Sequence, residues 1–193
     1  MRKDLTKIVK SSFLSCEKDV ETILKKLFVE NHRECEDLKR LLIINTKNCL
    51  DDRDSEVIQK TLREKGSVAQ LSKHGYIRLS PKITMPEHEE IKSYILISFD
   101  NFTPNETNPE FFDCTVSFDI ICHTDYWDLG NFRQRPIKIM GYIDGLLNNE
   151  KLSGIGTLNL LGANELILNQ DLAGYTLMYR AVHGSDDLIE PQE

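Results

Sequence analysis

The 193-residue sequence lacks long apolar stretches, and this absence limits where the protein can act. Its longest apolar runs, such as residues 41–44, are far shorter than the roughly 20 consecutive apolar residues of a membrane-spanning helix. The first residues, MRKDLTK, are basic but are not followed by an apolar stretch of signal-peptide length. We therefore expect no membrane association and an unprocessed chain that is made in the cytoplasm.

Motifs that would indicate an enzyme are also missing. The chain has five cysteines but no Cys-x-x-Cys pair, no Gly-x-Ser-x-Gly and no Gly-Lys-Ser/Thr. Gly154-Ile155-Gly156 lacks the third glycine and the following helix of a phosphate-binding loop, so a turn explains it better. An odd number of cysteines without a framework indicates buried, reduced thiols. We expect no cofactor and no enzymatic activity.

A cysteine and a histidine stand side by side at Cys122 and His123, close to two aspartates. Zinc needs three or four ligands that converge on one point. Neighbouring side chains of a strand project from opposite faces, so Cys122 should point to the core and His123 away from it. The pattern predicts a core thiol and a strand-end histidine rather than a metal site.

Charge is distributed unevenly along the chain. Residues 1–65 carry 15 Lys and Arg against 13 Asp and Glu, whereas residues 66–193 carry 9 against 18, which gives the net charge of −7. The acidic second part is unsuited to tight DNA or RNA binding, because neutralisation of phosphates dominates that binding. It is equally unsuited to anionic membrane surfaces.

Glycine and proline are absent from residues 1–65, which favours helix there. Apolar residues recur at alternating spacings of four and three: Val9, Phe13, Cys16, Val20, Ile23 and Leu27. This stripe suits packing on the chain's own sheet, and a coiled coil stays open. A loop is predicted over residues 45–54, then a short helix that Ser55 caps and Gly66 ends. Residues 1–70 are thus predicted to form a helical region for packing or for docking on a partner.

Residues 71–185 alternate between strand patterns and a single helix. The predicted elements are an edge strand (76–83), a strand buried on both faces (93–99), an exposed connection (100–109), an alternating strand (113–122), a helix within 132–148, two short strands around a turn at 162–164, and a last strand (174–182). The expected fold is α+β, a mostly antiparallel sheet with one helix packed on a face, preceded by the helical region. Residues 186–193 are expected to form an acidic mobile tail.

The segment between the third strand and the helix has the composition of an interface. Aromatic residues and arginine are enriched in the cores of protein–protein interfaces, and positive charge at a helix start opposes the helix dipole. Seven residues form the predicted contact surface for a subunit or partner: Phe102, Tyr126, Trp127, Phe132, Arg133, Arg135 and Lys138. Ordinary solvated charge for the basic residues, and a place in the chain's own core for Trp127, stay open as alternatives.

Four segments follow one another in a distinctive order: DCTVSFDIICHT, PIKIMGYIDGLLNN, GTLNLLGANELIL and GYTLMYRAV, with Leu-x-Gly-x-Gly at residues 152–156. Over residues 75–183 this order resembles that of phage tail terminator and head–tail joining (neck) proteins. The resemblance implies a small α+β subunit without enzymatic activity, which forms a ring, often six-fold, in the neck or at the tail end. The helical residues 1–70 exceed that pattern, and they could pack in cis or on a neighbour.

The resemblance implies a virion structural protein that joins or caps the tail tube, with copies of itself and other neck or tail proteins as partners. DNA would pass an acidic ring without being held, since like charges repel. One alternative is a cytosolic α+β adaptor or regulatory domain that binds a protein or small ligand through residues 126–135. Another is a cysteine-dependent enzyme that uses Cys114 or Cys122, which predicts rapid labelling of one thiol at neutral pH.

Overall fold

The computed structural model describes residue 13 and residues 16–79, 93–106 and 111–183. Its helices are α1 Cys16–Phe28, α2 Arg33–Ile43, α3 Glu56–Lys65, α4 Val68–Lys73 and α5 Arg135–Leu147. Its strands are β1 Ile77–Arg78, β2 Tyr94–Pro104, β3 Phe112–His123, β4 Lys151–Leu152, β5 Gly156–Thr157, β6 Asn159–Ile167 and β7 Leu172–His183. The expected α+β class is confirmed. None of the helices in these ranges has the length and apolar character that crossing a bilayer requires.

The N-terminal helices pack in cis on α5 and on the sheet. Ile23 and Leu27 of α1 and Leu38 of α2 share one buried hydrophobic cluster with Ile139 and Ile143 of α5. The alternating spacing of the apolar residues places them on one side of each helix, and burial of that side holds the helices in place. Val9, the start of the predicted stripe, lies outside the described residues.

Local sequence signals set the ends of the helices as predicted. The hydroxyl of Ser55 accepts a hydrogen bond from the Ile58 backbone N–H at 3.5 Å, and α3 ends at Gly66, whose N–H donates to the Leu62 carbonyl. Pro136 occupies the first turn of α5, where its missing N–H costs no hydrogen bond. These caps fix the helix lengths, and packing fixes their positions.

The main sheet has the order β1-β2-β3-β7-β6, and all its pairs are antiparallel except β1 with β2. The central pair β3–β7 runs without a shift from Phe112 opposite His183 to His123 opposite Leu172. The helices cover one face. On the other face Tyr94, Leu96 and Ile121 form a smaller apolar cluster. β2 is thus buried on both faces near its start, as its apolar pattern predicted.

Two predicted connections are strands, and this corrects the sequence-based boundaries. Residues 100–104, predicted to be an exposed connection, continue β2 past a bulge at Asn101, whose φ is 52°. Residues 162–164, predicted to be a turn, continue β6, because Gly162 pairs with Met178 of β7 after a one-residue register shift. The remainder of the predicted edge strand with Pro81, and the tail over residues 186–193, lie outside the described residues.

Candidate functional site

The segment between β3 and α5 forms a narrow turn with an exposed aromatic tip. It begins with a 3-10 turn at Thr124–Tyr126, and a bridge between Asp128 and Gln134 closes it. Gly130 and Phe132 both adopt left-handed φ values, 74° and 61°, which is unfavourable for a bulky side chain. The Phe132 side chain is 106% exposed. A strained backbone therefore holds an aromatic ring in solvent.

Arg135 lies at the base of this turn, inside the protein. Its side chain has no exposed surface, and its guanidinium donates to four backbone carbonyls: Leu41 at 2.5 Å, Tyr126 at 2.8 Å, Thr46 at 2.9 Å and Ile44 at 3.0 Å. A buried side chain with this many internal partners offers no surface to another protein. Arg135 therefore joins the end of α2 to the turn.

Two ion pairs join the turn to the loop between α2 and α3. Arg133 donates to both carboxylate oxygens of Asp51, at 2.9 and 2.6 Å, and Lys47 donates to Asp128 at 2.6 Å. The hydrogen bonds from Arg133 hold the pKa of Asp51 below its usual range, and those from Lys47 and the Gly130 N–H do the same to the pKa of Asp128. These pairs brace the turn against the loop between α2 and α3.

Trp127 is partly buried and packs against the main hydrophobic cluster. Its indole N–H donates to the Cys122 carbonyl at 3.3 Å. The ring of Tyr126 meets the His123 ring edge-on at 6.3 Å between centroids. Trp127 thus contacts the chain's own core, and its role as a contact residue for a partner stays a prediction. Lys138 is half-buried on α5.

The neighbours Cys122 and His123 are separated, as the alternation of the strand predicted. Cys122 is fully buried in the core, whereas Nδ1 of His123 accepts a hydrogen bond from the Asp125 N–H at 3.2 Å. Burial raises the pKa of Cys122 to about 11 and that of Cys114 to about 12. Both thiols are therefore protonated at neutral pH, which disfavours them as nucleophiles.

Phe102, the seventh predicted contact residue, lies apart from the turn. It stands on β2, where its ring is 5.2 Å from the Phe13 ring and 5.8 Å from the His183 ring. The structure thus groups the other six residues around the turn and the start of α5. Among those six, Phe132 is the one that projects fully into solvent.

A buried polar cluster that the sequence did not reveal surrounds His183. His183 and Asp19 are 0% and 1% exposed, and Nδ1 of His183 is hydrogen-bonded to the carboxylate of Asp19. Sγ of Cys16 lies 3.6 Å from Nε2 of the same ring. Within the described ranges this is the single group of three potential metal-ligand side chains that converges. The sequence did contain one signal for this cluster: Asp19 follows Cys16 by three residues, which places a carboxylate on the apolar side of the predicted helix.

A second unpredicted feature is the outer edge of the sheet. β6 is nine residues long, lies at the end of the strand order, and is exposed along most of its length. Leu161 and Ile167 are 57% and 67% exposed, and Leu160 is 40% exposed. Because the sequence suggested two short strands around a turn, the length of this edge was not anticipated.

One comparison with known proteins identifies a family. The family model described as YomW matches residues 36–181, about three quarters of the chain, so the chain belongs to the YomW family. The form of the name is that of Bacillus phage genes, and it indicates a phage-related protein without specifying a tail terminator. No curated protein matches the chain. The matched residues include the turn and β6, whereas Cys16, Asp19 and His183 lie outside them.

Proposed function

We propose that this member of the YomW family is a non-enzymatic structural subunit of a phage particle. It assembles with copies of itself into a ring in the neck or at the tail end, where it joins or caps the tail tube. The exposed edge strand β6 is the observation that carries the proposal. The fold class, the phage-related family and the net charge of −7 support it.

Edge strands in monomeric proteins are usually protected, because their free backbone groups recruit other strands. In the described part of the chain, β6 pairs with β7 on one side only. It also exposes three aliphatic side chains, Leu160, Leu161 and Ile167. A long edge strand that exposes aliphatic side chains in this way is expected to be buried in an assembly.

The assembly is expected to be a ring because the chain displays two unlike apolar features. One is the edge of β6 and the other is the ring of Phe132 on its braced turn. Contact between unlike surfaces is heterologous, and a heterologous contact that closes on itself gives a ring. In our proposal Phe132 of one copy packs against β6 of the next. The excess of acidic residues lets DNA pass such a ring without sticking.

Light scattering after gel filtration tests this contact. We expect the unmodified protein to have the mass of a closed ring. Phe132→Asp should abolish the ring, and so should Leu161→Asp combined with Ile167→Asp. The matched control is Val57→Asp on α3, since Val57 is 75% exposed but belongs to neither surface. The control variant should keep the ring.

Mixing the two deficient variants distinguishes a ring from a two-fold dimer. Each heterologous contact needs one intact Phe132 and one intact β6, so the mixture should form a dimer through a single restored contact. If β6 instead pairs with itself, the Phe132 variant alone remains dimeric and the mixture restores nothing, which contradicts the ring. Absence of the protein from purified phage particles would overturn the structural role. Strict monomers and that absence together would favour the adaptor alternative.

A further inference from the structure

We propose that Cys16 and His183 supply two ligands of a zinc-like divalent cation, that water completes its coordination, and that Asp19 positions His183 for this task. The site would join the first turn of α1 to the last residue of β7. It stands on different residues from the ring contact and does not depend on it. The inference starts from the separation of 3.6 Å between Sγ of Cys16 and Nε2 of His183.

This separation matches two ligands of one tetrahedral ion. With Zn–S about 2.3 Å and Zn–N about 2.0–2.1 Å, ligand atoms at a tetrahedral angle stand about 3.6 Å apart. A thiol proton occupies the same gap when Cys16 donates to the imidazole. The cation would take the place of that proton, with a small rotation of the side chains to aim both ligand atoms at it.

The position of Asp19 is the one that a metal-bound histidine requires. Its carboxylate is hydrogen-bonded to Nδ1 of His183, which directs Nε2 towards Cys16. Metal-ligating histidines commonly donate their second ring N–H to a carboxylate, which fixes the tautomer and makes the ligand more basic. Asp19 acts through His183, so its role here is that of a positioning residue.

Unbalanced charge at the cluster also favours a cation. Oδ1 of Asp19 is buried and has no hydrogen-bond partner among the described residues. A divalent ion carries two positive charges, which would balance the negative charge of the Cys16 thiolate and that of the Asp19 carboxylate. The occupied site would then be close to neutral.

The donor set selects the chemical class of the ion. Thiolate and imidazole suit zinc and related transition metals, whereas magnesium and calcium prefer oxygen ligands. Without a cation, burial and the nearby Asp19 carboxylate raise the pKa of the Cys16 thiol, the opposite of what an activated nucleophile needs. The rings of Phe13 and Phe102, whose centroids lie 6.5 and 5.8 Å from that of His183, give the site an apolar border.

The test is a titration of the chelator-treated, full-length protein with Co²⁺ and then Zn²⁺. We expect one equivalent of Co²⁺ to produce a thiolate-to-cobalt charge-transfer band in the near ultraviolet, and Zn²⁺ to displace it. A hundredfold excess of Zn²⁺ over its Kd should raise Tm by roughly 5–11 °C. The proposal would be overturned if no band appears even at Co²⁺ concentrations high enough to saturate a weak site.

Variants identify the ligands. Cys16→Ala should remove the band, whereas Cys35→Ala should keep it, because the Cys35 thiol donates to the Lys26 carbonyl on α1 and not to His183. Asp19→Asn should weaken binding about 10- to 100-fold while keeping the band. A band that survives Cys16→Ala would overturn the site. An Asp19→Asn variant with unchanged Kd would overturn the positioning role. Circular dichroism checks that each variant is folded.

Discussion

Phe132 and Arg135 lie three residues apart and reverse the usual distribution of side chains. The aromatic ring is fully exposed, whereas the guanidinium has no exposed surface. The base of the turn, around Arg135, satisfies its charge with four carbonyls of the same chain. The tip, at Phe132, exposes apolar surface and holds a strained φ of 61°. Buried polar groups and exposed apolar groups are the informative departures from ordinary burial.

The difference between base and tip separates architecture from interaction. A buried arginine whose hydrogen bonds are all made within the chain stabilises the fold and has no group left for a partner. An exposed aromatic ring on a turn braced by two ion pairs adds little to the stability of the monomer, and in our proposal it is the anchor for the neighbouring copy. Arginine content alone, which marked the turn as an interface, did not distinguish these two roles.

The largest expected effect comes from Arg135→Met, which breaks the base. Methionine fills similar space but cannot donate, so four backbone carbonyls lose a hydrogen bond, and the Leu41 carbonyl loses it at a fully buried position. We expect the free energy of unfolding to fall by about 3–5 kcal/mol, measured by urea denaturation. Arg133→Met is the matched control, and its midpoint should stay close to that of the unmodified protein. If both variants lose the same free energy of unfolding, the base of the turn contributes no more to stability than the residues near its tip.

A smaller effect of opposite sign is expected from Phe132→Gly at the tip. Glycine adopts a left-handed φ without steric strain, although it also costs more entropy on folding. We expect the free energy of unfolding to rise by up to about 1 kcal/mol while ring formation is lost. Phe132→Asn, which tolerates the same φ, should behave similarly. A clear loss of stability in both variants would mean that the aromatic side chain of Phe132 packs within the monomer.

The smallest expected effect is the pH dependence of the ion pairs that brace the turn. Their partners depress the pKa values of Asp51 and Asp128 in the folded state, so the stability they contribute is fully present above the usual carboxylate pKa of about 4. It is lost as pH falls through the lower folded values. Because both pairs are exposed, salt should weaken the effect.

Fluorescence of Trp127, the only tryptophan in the sequence, provides the measurement for that effect. A low-pH change in emission should precede global unfolding, and it should disappear when Asp51→Asn and Asp128→Asn are combined. A change centred near neutral pH, or one that survives both substitutions, would assign the transition to other groups.

Local features of the fold were predictable because short-range rules govern them. The alternation in β3, the cap at Ser55 and the Pro136 start of α5 depend on neighbours within a few residues. The boundaries of β2 and β6 were wrong because pairing with adjacent strands outweighed turn-like composition at Asn101 and Gly162. Propensity is a weak guide wherever tertiary hydrogen bonds compete with it.

The candidate sites depended on contacts that sequence spacing does not encode. Arg135 meets Leu41 across 94 positions, and His183 meets Asp19 across 164. Composition therefore identified the turn as polar and aromatic, but it did not show which of Arg133 and Arg135 is buried. The same limitation made Cys122, which has a histidine beside it in sequence, look more interesting than Cys16, which has one beside it in space.

These long separations also set the order in which the protein can fold as it is made. α1 and α2 are synthesised first, but Arg135, which binds the carbonyls at the end of α2, comes 94 positions after Leu41. His183, the partner of Asp19, is synthesised later still. Contacts of such high sequence separation form slowly. The apolar sides of the first helices should therefore stay undocked on the ribosome until β7 has emerged, which makes this the period when a chaperone would bind them.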